Sequence, residues 1–168
     1  MFKKRMKLLA AASVFFIIQF TFLPYVSFRG VVPDLLAILV VFYACYARRS
    51  ALVLFAVTIG LAKDIFSMGL FGIEAVAAGC AAFPLYYLIH KFPSEFLFFR
   101  VAAVFCYVVM NQLIVIIGMC VFSSSSNGIT LITQVMMPLV GYTVALAPLV
   151  LWLLKIVMKD SLRQYKLF

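Results

Sequence analysis

The sequence predicts an all-α integral membrane protein, a single domain of six transmembrane helices, and three observations lead there. Of its 168 residues 67% are apolar and only 11% are charged, where a soluble domain of this length is nearer half apolar. Apolar runs of about 20 residues recur along the chain, each long enough to cross a bilayer as a helix. The runs are also continuous, whereas the strands of a membrane barrel alternate over about ten residues.

The first span is expected at 8–26, after the basic start MFKKRMK. That start and the apolar run fit a signal peptide, but FTFLPYVSFRG offers no small-x-small cleavage site, so an uncleaved helix is expected. The second span, 35–47, is short, opened by Pro33-Asp34 and closed by Arg48-Arg49. Pro33 stands where a missing N–H costs little. The third and fourth spans cover 51–66 and 71–89, the fifth 96–122 and the sixth 129–154. Pro84, Pro138 and Pro148 fall inside spans and predict kinks. SSSSNG at 123–128 is a polar loop.

Basic residues set the orientation. With the N-terminus cytoplasmic, six spans return the C-terminus to the same side. All of the 14 lysines and arginines except Arg29 and Lys63 then lie at the cytoplasmic face. The net charge of +9 therefore reads as topology and contact with anionic lipids, not nucleic-acid binding. Of the acids, Glu95 and Asp160 fall on that face, while Asp34, Asp64 and Glu74 join Arg29 and Lys63 in the outer half.

An ionisable group inside a membrane is a functional candidate by default. Asp64 lies about 13 residues into the third span, roughly 20 Å of rise, which puts it toward the outer interface. Lys63 is expected to snorkel outward along its methylenes, and Asp34 to sit in the first turn of the second helix, where the dipole favours a carboxylate. Gly60 and Asp64 are spaced i, i+4 and share a face, so a neighbouring helix can approach the glycine and shelter the acid. Gly69 and Gly72 supply a tight turn, and Gly72, Ala75, Ala78, Gly79 and Ala82 form a small-residue face on the fourth helix. The third and fourth helices are therefore expected to pack as a tight hairpin.

Nothing in the sequence points to catalysis, a metal or another cofactor. His90 stands beside Lys91 at a predicted interface. Cys45, Cys80, Cys106 and Cys120 form no C-x-x-C pair and read as reduced, buried small apolar residues. Ser123 to Ser126 have no nearby base to activate a nucleophile. Asn111-Gln112 reads as interhelical hydrogen-bonding glue.

The order PDLLAILVVFYA, ARRSA, GLAKDIF and GLFGIEAVAAG, from Pro33 to Gly79, resembles the rod shape-determining membrane proteins of the MreD family. Pro33, Asp34, Gly60, Asp64 and Gly72 match the family pattern; Lys63 and Glu74 depart from it. The resemblance implies a non-enzymatic scaffold of the bacterial cell-elongation complex in the cytoplasmic (inner) membrane, with a fold similar to the substrate-binding subunits of energy-coupling-factor transporters. It implies MreC as direct partner, with RodA, a class B penicillin-binding protein and MreB in the larger complex supporting lateral peptidoglycan synthesis. The alternative is a small-molecule-binding membrane subunit of an energy-coupling-factor-type transporter, with Asp64 and Glu74 lining an outward pocket.

Overall fold

The computed structural model describes residues 12–22, 25, 27, 31–66, 71–91, 97–122 and 132–157. Among these the regular structure is helical: α1 (Ala12–Thr21), α2 (Leu35–Ala44), α3 (Arg49–Phe66), α4 (Ile73–Lys91), α5 (Leu97–Phe122) and α6 (Met137–Val157). A π-helical turn closes α1 at Ile18–Phe22, and another, Ile132–Met136, leads into α6. The second lies just upstream of Pro138, which occupies the first turn of the regular helix, where a proline is tolerated. Pro84 and Pro148 lie inside α4 and α6.

Three of these helices, at Ile73–Lys91, Leu97–Phe122 and Gln134–Ile156, are long and apolar enough to cross a membrane. The protein is thus an all-helical membrane protein. The third helix is 18 residues long but carries Arg49, Lys63 and Asp64.

The second helix is the centre of the molecule. Its ten residues rise only about 15 Å, half the thickness of a bilayer core. Ile38, Leu39, Val40 and Val41 are all 0% exposed. Four consecutive residues point around a full helical turn, so α2 is enclosed on every side, and α3, α4, α5 and α6 all pack on it. This accounts for LLAILVVFYA, which is apolar all round where a surface helix would carry one apolar stripe. The most extensive pairing is the antiparallel one between α3 and α4. Next to it, Phe66 at the end of α3 meets Phe16 and Phe20 of α1, with ring centroids 5.1 and 4.8 Å away.

Basic side chains gather where α3 begins. The Arg49 guanidinium lies 3.9 Å from the Phe83 ring centroid and donates to the Tyr87 hydroxyl at 2.9 Å. Arg100 donates to the Tyr46 hydroxyl at 3.3 Å. His90 stacks on Tyr86, and its Nδ1 lies 2.9 Å from the Tyr86 carbonyl. The cysteines depart from expectation: Cys45 is half-buried, while Cys80, Cys106 and Cys120 are exposed. On the outside of a membrane helix an apolar thiol meets acyl chains at no cost, so hydrophobicity alone does not distinguish inner from outer faces.

Candidate functional site: a polar cluster at the meeting of six helices

Asp34, Asp64 and Glu74 assemble at the end of the bundle where α3 stops and α2 and α4 begin. Asp34 precedes α2 as its N-cap and does not lie within the first turn. Its Oδ1 accepts the Ala37 N–H at 2.9 Å, satisfying one of the orphan donors of the helix start. Its own N–H donates to Thr143 Oγ1 of α6 at 2.9 Å. Its Oδ2 pairs with the Lys63 ammonium from α3. One aspartate thus ties together three helices.

Lys63 does not snorkel outward. Its side chain is 13% exposed and that of Asp34 6%, so the two charges leave water together. Attraction to a carboxylate within reach offsets the desolvation that would otherwise drive the ammonium to the interface.

Asp64 is 3% exposed and faces the start of α4. Its Oδ1 accepts the Glu74 N–H at 3.2 Å and its Oδ2 the Ala75 N–H at 3.1 Å. A carboxylate from another helix therefore serves as the cap of α4, and its charge lies at the positive end of the helix dipole. Gly72, just before α4, has φ +97°, a left-handed conformation that a side chain would strain.

Gly60 makes that capping possible. One turn before Asp64 on the same face, it lies against the α4 backbone: a Cβ there would come within 2.5 Å of Ala75 Cα and 2.6 Å of the Glu74 carbonyl oxygen. Ala75, Ala78 and Ala82 are buried on α4, and a Cβ on Gly79 would meet Val57 Cγ2 at 2.8 Å. Arg29 and Gly69, also candidates from the sequence, lie outside the described residues.

Two further polar members of the cluster, Thr143 and Gln19, carry little sequence signal. Thr143 is 0% exposed and lies in an otherwise mostly apolar helix. Gln19 Oε1 accepts the Leu36 N–H at 3.0 Å, giving α2 a second cap from α1. Asn111 Nδ2 donates to Glu74 Oε2 at 3.4 Å across the α4–α5 contact. That contact is the interhelical glue read from the Asn111-Gln112 pair, whereas for Thr143 and Gln19 the one clue is a polar side chain in an apolar run. A cavity of about 170 Å³ opens among these groups, lined by Gln19, Phe20, Val32, Asp34, Lys63, Glu74, Gln112 and Leu139, so every helix contributes to its wall or to the bonds behind it.

No curated protein and no solved structure matches the chain. The family model of the rod shape-determining protein MreD matches residues 3–160, nearly the whole length. An all-helical apolar chain matched over that span belongs to the MreD family of bacterial membrane proteins that determine cell shape.

Proposed function

We propose that this chain is a non-enzymatic scaffold of the rod, or elongation, complex. In this reading it spans the membrane six times with both termini cytoplasmic, binds MreC, and through it works beside RodA, a class B penicillin-binding protein and MreB in lateral peptidoglycan synthesis. The family match supports it. So does the separation of the Arg49 and Arg100 contacts from the acidic cluster at the other end of α3, which agrees with a cytoplasmic basic face.

The observation that carries the reading is the commitment of Asp64. Both of its oxygens hold the α4 backbone, so the deepest acid serves architecture. The rival reading, a substrate-binding subunit of an energy-coupling-factor-type transporter, draws on the cavity. A volume of about 170 Å³ is small beside the roughly 300–1,000 Å³ of pockets for drug-sized ligands, which favours the scaffold.

Affinity purification from native membranes separates the two. The scaffold reading expects an MreC-type single-span protein with a large periplasmic domain among the captured partners. Recovery of an ATPase-coupled transport module without such a protein would reject it.

A further inference from the structure

A second cavity, of about 160 Å³, lies at the opposite end of the bundle, between the end of α4 and the start of α5. Leu88 and Ile89 of α4 wall it, and on α5 Ala102, Ala103 and Cys106 leave it hollow because none has a long side chain. Among the described residues Arg100 is the one charged group lining it. Arg100 stands in the first turn of α5, and the rise from there to Cys106 is about 9 Å. Cys106 is exposed although it lies well inside an apolar span, so the hollow opens toward acyl chains. The result is a groove with a cation at the membrane interface and an apolar wall leading inward from it.

The placement of the guanidinium is a second sign. A long basic side chain at an interface ordinarily trails toward water. Arg100 is instead half-buried beside the groove, donating to the Tyr46 hydroxyl at 3.3 Å with that ring's centroid 6.0 Å away. Held in this way, it loses little further freedom on meeting a ligand. Its five N–H donors are enough for a hydroxyl and a phosphate together, and a phosphate meets the planar fork through two parallel bonds. The surroundings favour a negative ligand as well: Arg48, Arg49 and Lys91 lie at this end, whereas Asp34, Asp64 and Glu74 lie at the other.

We propose that this groove is a binding site for an anionic phospholipid, with the phosphate on Arg100 and the first part of one acyl chain in the hollow between α4 and α5. A soluble anion would leave the apolar wall unused, and a hydrocarbon would leave the guanidinium unused; an amphiphile meets both. Basic pockets between membrane helices bind anionic headgroups in this way. An engineered cavity of about 150 Å³ holds a benzene molecule, so about 160 Å³ takes roughly six carbons of a chain, and the remainder of the lipid stays in the bilayer. This is more than the diffuse attraction of a basic face, because one arginine and one groove select the lipid. The site rests on the chain's being a membrane protein and does not depend on the scaffold reading or on which face is cytoplasmic.

The test uses the full-length protein, without partners, in nanodiscs of equal parts phosphatidylglycerol and phosphatidylcholine with matched acyl chains. Native mass spectrometry compares how firmly each lipid is retained. Phosphatidylglycerol should be retained in preference. Arg100→Gln should weaken that preference roughly tenfold, as loss of a charge-assisted bond does. Cys106→Phe, at an exposed position, should weaken it too, by filling the hollow with every charge kept. Lys155→Gln removes an equal charge from the last turn of α6, away from the groove, and should leave the preference unchanged. Should Arg100→Gln fail to fold, the contrast between Cys106→Phe and Lys155→Gln decides. Equal retention of the two lipids overturns the proposal. So does a preference kept in folded Cys106→Phe, or an equal loss in Arg100→Gln and Lys155→Gln, which would mean diffuse attraction only. Failure to capture an MreC-type partner bears on the scaffold reading alone.

Discussion

Gly60 of α3 touches the backbone of Ala75 in α4 so closely that a methyl group on it would come within 2.5 Å of Ala75 Cα. The obstacle is main chain, which cannot rotate away as a side chain would. Gly60→Ala must therefore push the two helices apart, and with them the bonds from Asp64 one turn later. Overpacking of this kind costs about 1–3 kcal/mol, and the lost capping bonds add to it. Denaturant or thermal unfolding in detergent should show a loss at the upper end of that range, while Gly141→Ala, with no atom near the added Cβ, should be nearly neutral.

Asp64 should behave as a cap. Asp64→Ala leaves the Glu74 and Ala75 N–H groups unpaired in a dry interface, at a cost of about 2–4 kcal/mol from two lost charge-assisted bonds. Asp64→Asn keeps one acceptor and should fall between alanine and the native residue. The order Asp, Asn, Ala in unfolding midpoint checks this.

Asp34 and Lys63 form a buried pair, and buried pairs are costly to break from one side. Asp34→Asn or Lys63→Met alone should each destabilise by about 3 kcal/mol. The double variant should recover part of that loss, because no charge is then left alone. A double-mutant cycle measures the coupling directly; strictly additive losses would show that the pair contributes nothing as a pair.

Thr143 ties α6 to the head of α2. Thr143→Val keeps the shape and strands the Asp34 N–H, so a loss of about 1–3 kcal/mol is expected. Thr143→Ser retains the hydroxyl and should lose less, and the gap between the two reports the bond.

What could be read from the sequence were features written in short stretches. The membrane class follows from composition, and the i, i+4 spacing of Gly60 and Asp64 from helix geometry, because neither needs knowledge of distant residues. The bond from Asp34 to Thr143 spans 109 positions, and no local pattern encodes it. Lys63 differs from its sequence expectation for the same reason: snorkeling is the default of an isolated lysine, and only the fold reveals a carboxylate beside it. The enclosure of α2 also escaped, since a run such as LLAILVVFYA suits a lipid-facing helix as well as one ringed by protein. Likewise, exposed Cys80, Cys106 and Cys120 differ in no local way from buried ones, because lipid and protein interior are both apolar.

The central claim is that the acidic cluster holds this protein's own helices together, and that partner binding depends on it only through the fold. The most direct test measures how much of the proposed MreC-type partner is captured per folded molecule of Asp64→Asn, with the folded fraction taken from the unfolding curve of the same preparation. The account predicts a lower unfolding midpoint and an unchanged capture ratio. A native midpoint with the partner lost would contradict it and make Asp64 a contact residue.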